Sequence, residues 1–260
     1  MRIATWNVNS LKARLPRVEE WIEYAQPDVL CLQETKLADK AFPAMAFSAL
    51  GYESAHHGQG QWNGVAILSR VGIEDVTSGF GDAFIDPYEG DARVISATCS
   101  GVRVVSVYVP NGREVPSDFY DRKLVWFERL SEWIDATCTP SDQLVILGDF
   151  NVAPEDRDVW SMDSFEGSTH VTGPERAAIT TLEEWGLEDA FRRIYPDTDH
   201  LFSYWDYRRG DFHQGRGMRI DLVLATASVA DHVTWALVDR NARKGTQPSD
   251  HAPVIIDVDL

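Results

Sequence analysis

Apolar runs that stop abruptly on Asn, Glu, Asp or His recur along this chain. TWNVN (Thr5 to Asn9), LQETK (Leu32 to Lys36), YVPNG (Tyr108 to Gly112), GDFN (Gly148 to Asn151), RGMRID (Arg216 to Asp221) and SDH (Ser249 to His251) share this form. Such endings present polar side chains above a core, where chemistry is done. Glu34 comes after the apolar stretch Val29-Leu30-Cys31-Leu32. A carboxylate there is costly unless it binds a cation or an ionic partner. A hard cation such as Mg²⁺ takes a few carboxylate oxygens and leaves its other positions to water and phosphate. The alternative partner is Lys36 or an arginine. Asn7 can add an amide oxygen to the same metal, or cap a turn.

Asp149 follows Leu144-Val145-Ile146-Leu147-Gly148, and the glycine lets the backbone bring the carboxylate close to a ligand. With Asn151 two residues on, the pair can orient or deprotonate a water and hydrogen-bond to the same oxygen or to phosphate. An Asx turn leaving a strand is the competing reading. His251 stands beside Asp250. A histidine near carboxylates can stay protonated and donate to a phosphoryl oxygen as its charge grows. Asp221 is the candidate to hold that imidazole. Tyr108 and Lys123 offer a phenol and an ammonium near the phosphate, although Tyr108 also suits a core. The other histidines, His56 and His57 included, have no metal-ligand spacing and read as structural or surface groups.

The elements that must position these residues are mostly strands. Runs at Arg2 to Trp6, Asp28 to Leu32, Gly64 to Ser69, Arg93 to Thr98, Val102 to Val109, Gln143 to Leu147, Ile220 to Ala225, His232 to Val238 and Val254 to Val258 alternate apolar and polar residues or are rich in Val and Ile. Helical periodicity is clearest from about Arg14 to Tyr24, Asp118 to Ala136 and Pro174 to Trp185. Many strands with few, widely spaced helices fit an α/β sandwich of two facing sheets better than a doubly wound parallel sheet. Loops at one end of both sheets can then collect residues from across the sequence.

The 260 residues, 44% of them hydrophobic, suit one folded domain over 1–260, with no linker-like tract or internal repeat. The N-terminus lacks the pattern of a secretory leader and no apolar run is long enough to span a bilayer, so a cytoplasmic protein without a membrane partner is expected. Cys31, Cys99 and Cys138 are widely separated, which argues against a disulfide framework or a zinc site. A net charge of -17 is unusual for a protein that binds a polyanion, so charge has to be read locally. Lys12, Arg14, Arg17, Lys36, Lys40, Arg208, Arg209, Arg216, Arg219, Arg240, Arg243 and Lys244 lie near the motif segments, and a basic rim on an acidic body is expected.

TWNVNS, QETK, NGVAILSR, YVPNG, GDFN, FSYWDYR, RGMRID and SDHAPV occur in an order and at separations that resemble the exonuclease III branch of the endonuclease/exonuclease/phosphatase superfamily, from Met1 to Leu260. The resemblance implies a four-layered αββα sandwich, two mixed β-sheets packed face to face with outer helices. It implies a divalent metal held mainly by Glu34, with Asn7 and Asp250 nearby, Mg²⁺ being expected and Mn²⁺ a substitute. The implied catalytic residues are Tyr108, Asp149, Asn151, Asp221 and His251. In such enzymes a water attacks phosphorus in line while metal and histidine neutralise the phosphoryl charge.

The family's activities are abasic-site endonuclease, 3′ to 5′ exonuclease on duplex DNA, 3′ phosphatase and 3′ repair diesterase. One phosphoryl site can serve all four, because they differ in what lies beside the phosphate. Tyr204, Trp205, Met218 and Ile220 match the family's apolar pocket for a flipped, baseless sugar. Tyr204 stands where the bacterial pattern often has Trp, and Met218 where Leu or Trp is usual; core packing is the competing reading for this group. Lys36, Trp62, Asn63, Arg93, Lys123, Arg216 and Arg219 are the expected DNA contacts, and duplex DNA with abasic sites or 3′ ends is the expected partner of a monomeric enzyme. The competing functions are another phosphoesterase of the superfamily, DNase I-like or acting on phospholipid head groups, and a non-catalytic DNA-binding protein that keeps the fold.

Overall fold

The computed structural model describes residues 1–81 and 91–260, with the side chain of Arg209 outside the described residues. The first half runs β1 (Arg2–Asn7), α1 (Leu11–Ala25), β2 (Val29–Gln33), α2 (Ala44–Ala49), β3 (Glu53–His57), β4 (Val65–Ser69), β5 (Glu74–Ser78), β6 (Val94–Cys99), β7 (Val102–Tyr108) and α3 (Asp118–Thr137). The second runs β8 (Leu144–Asp149), α4 (Gly173–Trp185), β9 (Leu187–Asp189), α5 (Ala190–Ile194), α6 (Asp211–Gln214), β10 (Asp221–Thr226), α7 (Ala227–Ala230), β11 (Val233–Val238) and β12 (Val254–Val258). The strands form two six-stranded sheets, ordered β11-β12-β1-β2-β4-β3 and β5-β6-β7-β8-β10-β9.

One parallel pair organises each half, β1 with β2 and β7 with β8. Parallel neighbours cannot be joined by a tight turn and need a crossover. α1 and α3 supply them. Alternation along the strands then decides what each sheet face meets. Ile3, Val29, Cys31 and Ile67 of the first sheet meet Ile95, Val104, Val145, Leu147 and Val223 of the second in a dry central core. Their neighbours face outward. Ala4, Trp6, Leu30 and Leu32 are covered by Val18, Trp21 and Ile22 of α1. Val105, Val107, Leu144 and Ile146 are covered by Trp126, Phe127 and Leu130 of α3 and by Ile179 and Leu182 of α4. The layers are thus helix, sheet, sheet, helix, the αββα sandwich that the sequence suggests.

The inner face turns polar toward one end. β1 reads Ile3, Thr5, Asn7 on that face, β2 Val29, Cys31, Gln33, β7 Val104, Ser106, Tyr108, and β8 Val145, Leu147, Asp149. Thr5 Oγ1 donates to Gln33 Oε1 at 3.1 Å and Gln33 Nε2 to Ser106 Oγ at 3.1 Å, so a buried polar bridge joins the sheets between core and site. Every central strand is where the sequence puts it, give or take two residues. β3, β5 and β9 are additional, and they are edge strands with the sequences ESAHH, EDVTS and LED. Short, solvated edges carry little apolar periodicity to read. The three thiols are free, and among the described residues no helix is long and apolar enough to cross a membrane.

Gly148 has φ +149°, and a Cβ there would lie 1.9 Å from the Val107 carbonyl oxygen of the paired strand. Gly148→Ala is expected to destabilise the fold by about 3 kcal/mol or more, the range of a backbone clash in a packed sheet. Chemical denaturation checks this, and an unchanged midpoint would rule out the β7–β8 approach described here.

Candidate active site

Register builds the site. Tyr108 pairs with Asp149 and Asp149 with Asp221, so the three form one row across the second sheet. Directly opposed residues project from the same face, here the one between the sheets. The first sheet contributes Asn7 at the end of β1, Glu34 just after β2, and His251 in the loop before β12. Parallel strands end where their antiparallel neighbours begin, which brings all six to one rim. Glu34 sits at φ +52°, a left-handed turn held by Ser10 N–H donating to the Glu34 carbonyl at 2.7 Å and Thr35 N–H to the Gly64 carbonyl at 3.1 Å.

The groups are tightly coupled. His251 Nδ1 donates to Asp221 Oδ2 at 2.8 Å, and His251 Nε2 lies 3.8 Å from Asp149 Oδ2. Burial opposes charge on the imidazole, but Asp221 and Asp149 outweigh it and hold its pKa up at about 10. Asp149 is pushed up to about 7, chiefly by burial and in part by Asp221 and Glu34, against the pull of His251 and of Asn7. Asp149 Oδ1 accepts from Asn151 N–H at 2.9 Å and its Oδ2 from Asn7 Nδ2 at 2.9 Å. Asn7 Nδ2 also donates to Glu34 Oε1 at 2.8 Å, while its amide oxygen accepts from Asn9 N–H. The other oxygen of Glu34 pairs with Lys36 at 2.8 Å. Burial alone would raise the Glu34 pKa, and Lys36 brings it below the usual range. Burial and then the charge of Glu34 keep the Tyr108 phenol protonated.

A cavity of about 130 Å³ opens on these groups, lined by Glu34, Tyr108, Asp149, Asn151, Asp250 and His251, with Asn111, His170, Tyr204 and Ile220 completing its wall. The donor set fits a hard cation. Asp221 Oδ1 is buried with no hydrogen-bond partner, and the carboxylates of Glu34, Asp149 and Asp250 line the same cavity. Carboxylates crowded in this way gain from a divalent ion that offsets their repulsion. Asp250 lies at the mouth, its Oδ1 accepting from Asn9 Nδ2 at 3.1 Å.

Three assignments need correction. Lys123 is not a DNA contact: its ammonium is fully buried and paired with Glu175 at 2.5 Å beneath the site. Arg219 is not one either, because it is buried between Asp158, at 2.7 Å, and Asp189, at 2.5 Å. Trp205 is a core residue with 0% exposure, packed edge-on against Phe212, and does not line the cavity. Of its expected companions, Tyr204, Met218 and Ile220 do cluster together, with Tyr204 4.9 Å from the His251 ring.

The remaining basic and aromatic candidates divide between the rim and the interior. Trp62 is 65% exposed, and Asn63 beside it donates to Gln59. Lys36 donates to Asn9 Oδ1 at 2.6 Å. Arg216 pairs with Asp211 at 3.0 Å and lies over Trp160. Arg93 is turned inward, paired with Asp91 and 4.7 Å above the Tyr108 ring. Arg243 is also withdrawn from the rim, buried and donating to the Ser249 and Trp205 carbonyls. Sequence reasoning missed Asn111, whose Nδ2 donates to Asn151 Oδ1 at 3.0 Å, and His170, whose Nδ1 donates to the Asn151 carbonyl at 2.6 Å. Asn111 sits inside YVPNG and could have been found there; His170 lies in a loop with no pattern to mark it.

The sequence and the fold have counterparts among known proteins. The endonuclease/exonuclease/phosphatase family matches residues 4–251, and the chain is 33% identical over 265 residues to exodeoxyribonuclease III of Haemophilus influenzae, covering 98% of both proteins. The chain therefore belongs to the endonuclease/exonuclease/phosphatase family, within its exonuclease III group. An AP endonuclease from Archaeoglobus fulgidus has the same fold, with TM-score 0.95, 36% identity and 100% of both chains covered. A 3′ phosphatase from Neisseria, solved with a product DNA hairpin, matches with TM-score 0.94, 38% identity and 100% of both chains covered.

The protonated His251 can be tested without substrate. Because its folded pKa is raised from 6.5 to about 10, the stability it contributes is complete below 6.5 and lost as pH rises through about 10. In protein stripped of divalent ions, the ring nitrogens of His251 should titrate well above pH 8 by NMR, and Asp221→Asn should bring that titration down by about one unit or more. A parent His251 that titrates near 6.5 would refute this electrostatic arrangement.

Proposed function

We propose that the chain is a metal-dependent DNA repair phosphodiesterase that cuts duplex DNA on the 5′ side of abasic sites and removes nucleotides or blocking groups from 3′ ends. The observation that carries this reading is the Asp149–His251–Asp221 row set opposite Glu34 around one small cavity. Asp149, with its pKa near 7, is poised to orient and deprotonate a water held also by Asn151. His251, kept cationic by Asp221, donates to the phosphoryl oxygen on which charge develops. The Tyr108 phenol adds a second donor on the same side. Magnesium, with manganese as a substitute, would be held by Glu34 and Asp250 with Asn7 alongside, and when bound supplies Lewis-acid neutralisation of the phosphate.

Substrate choice falls to the neighbouring wall. Tyr204 and Ile220 line the cavity with Met218 packed behind them, an apolar wall suited to a bare sugar, and flipping costs least where no base has to be unstacked. The similar proteins are named for different reactions, AP endonuclease and 3′ phosphatase among them, at nearly equal identity. That supports one phosphoryl centre serving both kinds of end. Duplex DNA would be met along the rim by Lys36, Trp62, Asn63 and Arg216. The proposal places the enzyme in the cytoplasm, acting as a monomer.

The test is cleavage of a labelled duplex with one abasic-site analogue, beside an undamaged duplex with recessed 3′ ends, in Mg²⁺ and in EDTA. Magnesium-dependent incision 5′ to the lesion, with shortening of the recessed strand, is the expected result; two intact substrates would redirect the assignment to other phosphoesters. Glu34→Ala should raise the magnesium needed for half-maximal rate by about tenfold or more, and an unchanged titration removes Glu34 from the metal. Asp149→Asn should lower kcat by about a hundredfold or more while sparing DNA affinity. Equal loss of both would assign it a structural role.

A further inference from the structure

Beneath the cavity lies an ion pair that the proposed mechanism leaves idle. Lys123 of α3 and Glu175 of α4 meet at 2.5 Å with both side chains 0% exposed. Glu175 is the capping-box acid of α4, its Oε2 accepting from Thr172 N–H at 3.0 Å, while Thr169 Oγ1 donates to its Oε1 at 2.6 Å. As a source of stability such a pair is a poor choice, because an apolar pair of similar volume does as well or better. What an apolar pair cannot do is donate to carbonyl groups.

Lys123 Nζ donates to the Asn151 carbonyl at 2.6 Å and reaches the Asn111 carbonyl at 3.4 Å. Asn151 is a left-handed residue, φ +52°, whose N–H donates to Asp149 Oδ1 and whose amide oxygen accepts from Asn111. Its side-chain nitrogen donates to the Val109 carbonyl at 2.9 Å, so Asn151 is held on every side at the cavity wall, with Lys123 below it. Together with His170, which binds the Asn151 carbonyl at 2.6 Å, the ammonium therefore holds Asn151 from below, and the N–H of that residue in turn holds the carboxylate of Asp149. We propose that Lys123 and Glu175 are positioning residues for phosphodiester hydrolysis, Glu175 holding the buried ammonium in place and Lys123 setting the orientation of Asn151 and Asp149. This inference rests on the function proposed above and adds to it the part that orients the water-binding pair.

The experiment compares Lys123→Met, Glu175→Gln and the double variant Lys123→Met/Glu175→Leu with the parent, at saturating magnesium on a duplex with recessed 3′ ends. Ile134→Ala, a core cavity farther along α3, serves as a control for lost stability. In Lys123→Met, kcat should fall by about tenfold or more while KM for DNA moves by less than about threefold. The double variant should be no worse than Lys123→Met, because the two residues act as a unit. Glu175→Gln keeps the shape and an acceptor oxygen, so it shows the same kcat-against-KM split should Lys123→Met fail to fold. Ile134→Ala should lose melting temperature and keep kcat.

An unchanged kcat in both single variants overturns the proposal, as does a rise in KM at constant kcat or an equal loss of kcat in Ile134→Ala. A parent that cleaves no phosphodiester counts against the proposed function instead. In that event hydrogen exchange at the Asn151 amide decides this inference. Faster exchange in Lys123→Met, with the sheet amides still protected, supports it; unchanged exchange refutes it.

Discussion

Like charges that must stay close together govern this structure. Asp149, Glu34 and Asp250 converge on a cavity of about 130 Å³, with Asp221 behind them against His251, and burial there disfavours the ionised form of Asp149. Each is restrained by a different device: His251 against Asp221, Lys36 against Glu34, Asn7 between Glu34 and Asp149, and Asn9 against Asp250. Two sheets are needed to do this, because a single row of carboxylates on one sheet could not be faced by donors from the other. Repulsion of this kind is tolerated where a bound cation relieves it, and the unpartnered Asp221 Oδ1 shows that protein donors alone leave the site undersatisfied.

Much of this was legible in the sequence, for a physical reason. Central strands are packed on both faces, so the places where their apolar runs stop or start mark the rim: Asn7, Glu34, Tyr108 and Asp149 stand at such stops, and Asp221 opens the antiparallel β10. What could not be read was the partner of each cation. Lys123 and Glu175 are 52 residues apart and Arg219 and Asp158 are 61 apart, so nothing local distinguishes a buried, consumed charge from one that waits for phosphate. Trp205 was misplaced for a related reason: FSYWDYR alternates around a bridge in which Tyr204 faces His251, and its neighbour consequently faces the core.

The same pairings bear on the acidic balance of the chain. Arg219 is consumed by Asp158 and Asp189 and Arg243 by backbone carbonyls, so the basic rim is thinner than a count of Lys and Arg near the motifs suggests. Lys12, Lys40, Arg208, Arg240 and Lys244 remain exposed. Attraction to a polyanion depends on charges within about a Debye length, roughly 8–10 Å at ordinary salt. A net charge of -17 spread over the whole surface therefore need not oppose a local cationic edge.

The phosphoryl groups and the wall beside them rest on different kinds of support. Asp149 and Asp221 belong to paired strands whose neighbours fix them on both sides, and His251 is tied to that row through Asp221. Tyr204 and Met218 meet through isolated bridges, and His170 comes from a loop and is bound to the Asn151 carbonyl. A substitution in the strands displaces reacting atoms, whereas one in the loops reshapes what sits next to them. A fold divided this way can keep one chemistry while its wall is altered to admit a bare sugar, a terminal nucleotide or a terminal phosphate, which is consistent with relatives of nearly equal similarity carrying the names of different reactions.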